Sequence, residues 1–284
     1  MALTINTNLS SMIVQNNLSK STTQLNNAIE RMTTGYKINH ASDNAAGYSI
    51  AKNWEAKLSS LDIAADNAAT GADMLSTLED NLALVSSHLQ RVRDLTEQAS
   101  NGTYGADSKT AIESEITARL QEIDRIASNC EFNGISLMGG GPATAIQVGI
   151  EGTESKSRIT LDADLFAATS ANSLLGGSIA TVASKCAGKT TGVEASSMLA
   201  TIDTAINSIS SRVTKLGAAQ NRIESAIESI GVQSENITSS LSTLRDADVA
   251  TESSNYIKAQ ILQQASATLL ATANQTPSIA LNLL

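Results

Sequence analysis

The 284-residue chain carries a formal net charge of −9 and a hydrophobic fraction of 42%, enough for a core, yet only 2% aromatic residues. That is too few for a compact globular core, whose buried area usually rests on Phe, Tyr and Trp; Ala, Leu and Ile dominate instead, the side chains of helix seams. With no Lys/Arg cluster the chain has no nucleic-acid footprint. No apolar run approaches the ~20 residues of a membrane span, and two isolated histidines, His40 and His88, cannot build the usual zinc site.

The N-terminus, Met1-Ala2-Leu3-Thr4-Ile5-Asn6-Thr7-Asn8, lacks the basic and apolar regions of a cleaved signal peptide. Residues 1–29 contain a single charged side chain, Lys20, and apolar residues recur at Val14, Leu18, Leu25, Ala28 and Met32 with helical spacing. Glycine is absent until Gly35, and Gly35 and Gly47 are expected to bracket a break. A second stripe follows: Trp54, Leu58, Leu61, Ala65, Ala68, Ala72, Leu75, then, after a slip of phase, Leu78, Leu82, Val85, Leu89 and Val92. Asn101-Gly102-Thr103-Tyr104-Gly105 reads as a loop that reverses the chain, and Ile112, Ile116, Leu120, Ile123 and Ala127 form a third stripe.

The centre changes period. Ile146, Val148 and Ile150 alternate with Gln147 and Gly149, and Ile159, Leu161 and Leu165 alternate with Thr160, Asp162 and Asp164, with Ala163 between, which predicts a β-hairpin turning through residues 151–155. Residues 167–195, rich in Ala, Ser, Thr and Gly, carry little pattern and read as a surface loop. Cys130 and Cys186 have no CxxC spacing, so neither a disulfide nor a metal site is expected.

From Leu199 the steps alternate between three and four residues: Leu199, Ile202, Ile206, Ile209, Val213, Leu216, Gln220, Ile223, Ile227, Ile230, Ser234, Ile237, Leu241 and Leu244. This is a sustained heptad seam interrupted only by Gln220 and Ser234. As one helix it would run about 69 Å at 1.5 Å per residue. Gly217 and Gly231 each cost about 1 kcal/mol there relative to Ala, so the seam must be buried against a partner, for which the first-half stripes are the candidates. Residues 253–284 mirror the beginning: one charge, Lys258, and apolar positions at Ile257, Ile261, Ala265 and Leu269. Uncharged polar surfaces suit helices that pack against identical copies, because like charges would otherwise meet at every contact. Composition and period together predict a mainly α fold, a long coiled-coil-like bundle with a small β-hairpin and two matched, nearly uncharged ends, whose pairing only the resemblance given next implies. The function they favour is a self-assembling structural subunit rather than an enzyme, with no catalytic, cofactor or metal residues.

Several segments resemble bacterial flagellin. They are Met32-Thr33-Thr34-Gly35-Tyr36-Lys37-Ile38-Asn39 followed by Asp43-Asn44-Ala45-Ala46-Gly47, then Phe132-Asn133-Gly134, Arg245-Asp246-Ala247-Asp248, Ala259-Gln260-Ile261-Leu262-Gln263-Gln264-Ala265 and Ala273-Asn274-Gln275. The resemblance implies an inner-tube domain of residues 1–43 and 245–284, a bundle-plus-hairpin domain of 44–166 and 196–244, and the short segment 167–195 in place of variable outer domains. It implies a short-form filament subunit for motility, exported through a type III apparatus, with an export chaperone and cap and hook-junction proteins as partners. A hook–filament junction protein is the alternative on the same plan. Polymerisation residues on this reading are Leu18, Leu25, Met32, Ile257, Ile261, Leu269, Leu281, Leu283 and Leu284. The segment from Leu89 to Leu95 resembles the stretch read by the host flagellin-sensing Toll-like receptor. That assigns Gln90, Arg91 and Leu95, with Glu115 and Arg119 from the adjacent helix, to receptor binding, and Arg91 and Leu95 as anchors.

Overall fold

A computed structural model of the chain describes residues 7–151, 157–189 and 195–281, with side chains described through residue 275. The chain divides into two compact units, residues 1–58 with 235–284 and residues 59–234.

In the first unit, α1 (Leu9–Thr34) pairs with α7 (Val249–Leu281). Asn8 caps α1, its side-chain oxygen accepting from the Ser11 N–H at 3.1 Å. The helix ends at Gly35, whose left-handed φ of 75° lets its N–H reach the Arg31 carbonyl at 2.9 Å. The pairing is antiparallel: Arg31 meets Glu252, Gln263 donates to Thr22 Oγ1, and Asn8 donates to the Ala273 carbonyl. The residues buried between the helices are small, namely Ser21, Ala28, Ala259 and Ser266, apart from Glu252, the partner of Arg31.

The break between α1 and α2 (Ala45–Ser100) is closed by the break between α6 (Ala195–Arg245) and α7. Tyr36 forms an antiparallel bridge with Asp246, the Lys37 N–H donates to the Arg245 carbonyl at 2.7 Å, and the Ala247 N–H donates to the Gly35 carbonyl at 2.8 Å. The Arg245 guanidinium lies 4.1 Å from the Tyr36 ring centroid and pairs with Glu55. A hydrogen bond from Lys52 holds the Glu55 carboxyl below its usual range, with Arg245 adding to it. These contacts bind the first turns of α2 to the terminal pair within the first unit. Gly47 likewise lies inside the first turn of α2: Asn44 caps it at 2.9 Å, and Ile38 packs on it.

The second unit is a bundle of α2, α3 (Ala106–Asn129) and α6 around one hydrophobic core. All five residues of the third stripe, Ile112, Ile116, Leu120, Ile123 and Ala127, are buried, as are Leu75, Leu78, Leu82, Val85, Leu89 and Val92 on α2. Two antiparallel pairs follow: β1 (Glu131–Phe132) with β2 (Ile135–Ser136) and β3 (Thr144–Gln147) with β4 (Arg158–Leu161), the latter in a register that puts Ile146 opposite Ile159. The expected hairpin is therefore present, although most of its turn lies outside the described residues.

The described part of the expected loop, residues 167–189, is not a surface loop. A short 3-10 helix at Ala163–Phe166 leads into α4 (Ala171–Leu175) and α5 (Ile179–Cys186). Ala171, Leu175, Val182, Ala183 and Cys186 join the bundle core, and Asp124 of α3 accepts the Ala171 N–H at 2.6 Å. The segment looked patternless because each helix spans two turns or fewer, too short to develop a readable period, and its buried faces are mostly small residues.

On α6 the seam sits a fraction of a turn away from the predicted one. Ile202, Ile209, Leu216, Ile223 and Ile230 are buried as expected, but the alternate heptad set is Met198, Ala205, Arg212 and Ala219. The predicted positions Leu199, Ile206 and Val213 are partly buried flanks, and Ile227 is exposed. Gln220, the polar residue read into the seam, donates to Glu79 on α2 at 2.8 Å. This polar pair penalises any register in which either group meets an apolar neighbour.

The glycines of the bundle separate into two kinds. A Cβ added at Gly71 would lie 2.5 Å from Ile146 Cδ1 and 3.1 Å from its Cγ2, so Gly71 is where β3 seats on α2. A Cβ at Gly217 or Gly231 would meet nothing within 4 Å. Gly217→Ala and Gly231→Ala are expected to stabilise by about 0.5–1 kcal/mol each through helix propensity. Gly71→Val is expected to destabilise by about 1–3 kcal/mol through overpacking. Thermal unfolding of the three variants checks the opposite signs.

Candidate functional site

Each unit carries one candidate surface. In the first unit most of the large apolar residues of α7 face away from α1. The inward face of α7 consists of Glu252, Tyr256, Ala259, Gln263, Ser266, Leu270 and Ala273. The stripe of Ile257, Ile261 and Leu269, expected to serve polymerisation, is 53–59% exposed, with Leu262 at 41% beside it. Ser254, Ile257, Lys258, Ile261 and Leu262 line a shallow groove of about 410 Å³. On α1 the predicted positions Leu18 and Leu25 are half-buried toward α7, whereas Met32 is exposed. Leu9, Met12, Ile13 and Ile29, which were not predicted, are also exposed. The spacing of 9, 12 and 13 is itself an amphipathic signal, hidden because only one phase of the helix was read. The predicted Leu283 and Leu284 lie outside the described residues, as does the side chain of Leu281, the last residue of α7.

Asp248 supports this stripe by capping α7. It accepts the Thr251 hydroxyl at 2.9 Å and the Ala250 N–H at 2.9 Å, and these bonds, the hydroxyl's foremost, hold its carboxyl below the usual range.

In the second unit Arg91 of α2 reaches Glu115 of α3, with Nε at 3.0 Å and Nη2 at 2.9 Å from the same Oε1. Arg119 Nη2 lies 3.8 Å from that oxygen, so one carboxylate gathers two guanidinium groups. Gln90 is exposed alongside. Exposed pairs of this kind contribute about 0–1 kcal/mol to stability; their value here is a fixed charge pattern on the surface. Leu95 does not belong to that surface, being 2% exposed. It lies one turn beyond Arg91, where α2 turns toward the core, and it joins the same cluster as Val92, Ala99 and Ile112. In the single chain its side chain is enclosed, so it presents no exposed anchor beside Arg91. A neighbouring bond, Arg93 Nε to Asp203 at 2.6 Å, ties α2 to α6.

Cys130 and Cys186 are free and buried, and burial pushes both thiols above their ordinary range, away from the reactive thiolate. Among the described residues no cluster of His, Cys, Asp and Glu could hold a metal ion, and no helix is long and apolar enough to cross a membrane.

Residues 5–141 match the family model of the bacterial flagellin N-terminal helical region, and residues 199–284 match that of the C-terminal helical region. The chain belongs to the bacterial flagellin family. It is 39% identical to the flagellin of Xenorhabdus nematophila, covering 100% of both chains, and 33% identical to that of Listeria monocytogenes, covering 97% of both. Its fold is similar to that of a protein described as a flagellar hook-associated protein from Vibrio parahaemolyticus, with a TM-score of 0.60 and 15% identity over 72% of this chain and 100% of that one. Membership of this family makes the chain a structural subunit of the flagellar filament, not an enzyme, and a component of the extracellular flagellum.

Proposed function

We propose that the outward stripe of α7, with the exposed apolar residues of α1, is the subunit-to-subunit contact of the filament. The observation that carries this is the direction of the apolar residues: α1 and α7 bury small and polar side chains between themselves and leave Ile257, Ile261, Leu262 and Leu269 to water. A stable monomer would do the reverse. Neighbouring copies are the occupant that a filament supplies, and the near absence of charge on both helices lets identical surfaces meet. An export chaperone, before assembly, and cap and hook-junction proteins, at the filament ends, are further occupants of the same ends. Identity to flagellins over the full chain favours a filament subunit over a hook–filament junction protein. Electron microscopy under polymerising conditions tests the reading: long filaments are expected from the whole chain and none from a chain lacking residues 255–284.

The Arg91–Glu115–Arg119 cluster, with Gln90, is the surface that the flagellin-sensing Toll-like receptor would read. A carboxylate shared by two fixed guanidinium groups offers a partner both donors and an acceptor on a rigid helical face. Arg91→Ala is expected to lower receptor activation at least tenfold, the loss of about 1.4 kcal/mol or more that a charge-assisted contact supplies. A reporter-cell titration with soluble monomer checks it, and unchanged helix content by circular dichroism separates contact loss from unfolding.

A further inference from the structure

Two Asn-Gly pairs lie on exposed turns of the second unit, Asn101-Gly102 between α2 and α3 and Asn133-Gly134 between β1 and β2. Their surroundings differ in a way that matters chemically. The side-chain oxygen of Asn101 accepts two hydrogen bonds, from the Thr103 N–H and from the Thr103 hydroxyl, each at 3.1 Å. Gly102 is exposed, and a Cβ there would meet nothing within 4 Å, so no neighbouring group crowds the residue whose nitrogen would attack. Asn133 and Gly134 are held at φ 49° and 78° in a two-residue turn fixed by the pairing of Phe132 with Ile135.

We propose that Asn101 is a site of self-catalysed deamidation and that Thr103 promotes it. The Gly102 nitrogen, losing its proton to solvent base, attacks Cγ of Asn101, and negative charge gathers on Oδ1. Oδ1 is the atom that both Thr103 donors already hold, so the two bonds strengthen as the tetrahedral intermediate forms, in the manner of an oxyanion hole. The Cγ–Nδ2 bond breaks and the nitrogen leaves as ammonia, taking up a proton from water. The resulting succinimide joins Cγ to the Gly102 nitrogen. Water opens this ring at either carbonyl, giving an aspartyl or an isoaspartyl linkage. No oxidant, reductant or enzyme enters the balance. At Asn133 the same attack would have to distort a hairpin turn held by its strand pair, and among the described residues no pair of donors like those of Thr103 meets its side-chain oxygen.

The product places a new negative charge between the C-terminus of α2 and the N-terminus of α3, and the isoaspartyl form adds a backbone carbon to the turn that sets how these two helices meet. A filament subunit outside the cell would accumulate this change with age.

The test is incubation of the purified full chain in mildly alkaline buffer, followed by peptide mass mapping that quantifies aspartyl and isoaspartyl products at both sites. Asn101 is expected to convert several-fold faster than Asn133. Thr103→Val should slow conversion at Asn101 several-fold and leave Asn133 unchanged, while Thr103→Ser, which keeps both donors, should retain the original rate. Equal or faster conversion at Asn133 would overturn the proposal. So would an unchanged rate at Asn101 in Thr103→Val, or a loss in Thr103→Ser as large as that in Thr103→Val.

Discussion

Ile261→Asp is expected to abolish filament growth while leaving the monomer's bundle intact. Ile261 is 59% exposed in the single chain, so the substitution removes no core packing from the monomer. In the assembled state the side chain would be enclosed by neighbouring copies, and two costs then appear together. The burial of Ile257, Ile261, Leu262 and Leu269, each about half exposed beforehand, is worth roughly 3–6 kcal/mol per subunit, of which one share is lost. A carboxylate must also be desolvated without a partner, a penalty of several kcal/mol. A combined loss of about 5 kcal/mol raises the critical concentration for growth more than a thousandfold. Sedimentation of polymer against concentration measures this, and melting of the monomer provides the control. Growth at an unchanged critical concentration would mean that the stripe faces something other than a neighbouring subunit. Ile261→Leu, which keeps the apolar surface, should grow normally.

The reach of the sequence can be judged residue by residue. The heptad run from Leu199 to Leu244 located α6 almost to its ends, and the breakers at Gly35 and Gly102 located the ends of α1 and α2, because long periodic segments and glycine-bearing breaks leave local marks. Periodicity says which residues share a face. It does not say what that face meets. On α7 the spacing of Ile257, Ile261 and Leu269 marks an apolar stripe, which the helix turns outward, but it gives no sign that α7 packs on α1 through Ala259 and Ser266. Small residues win that position because they let two backbones approach, a property with no periodic signature. Leu95 shows the same limit from the other side: motif resemblance placed it at the receptor surface, whereas its partner helices enclose it. Arg212 was invisible altogether, since a cation in a seam reads as a flank.

Arg212 carries the largest expected effect inside the bundle. Its side chain, 6% exposed, occupies a seam position of α6. Nη1 donates to the Thr169 hydroxyl and Nη2 to the Leu165 carbonyl, each at 2.7 Å, while Nε has no partner among the described residues. Desolvation pulls its pKa below the ordinary guanidinium range, and among the described residues no carboxylate pairs with it, Asp164 being bound to Lys215 instead. The guanidinium therefore acts as a bolt between α6 and the 3-10 helix, fixing the segment that replaces the expected loop. Arg212→Ala leaves a cavity and two buried acceptors short of a donor, and about 3–5 kcal/mol of stability should be lost. Arg212→Met fills most of the volume and removes the buried charge but still strands the acceptors, so it should cost about 1–3 kcal/mol. Arg212→Lys keeps a charge but replaces the fork with a single point, so it should fall between them. Denaturant unfolding of the monomer ranks the three, and hydrogen exchange across residues 165–175 locates the effect. If Met proves as stable as Arg, the hydrogen bonds contribute nothing beyond filling space, and the docking of α4 and α5 rests on their apolar contacts alone.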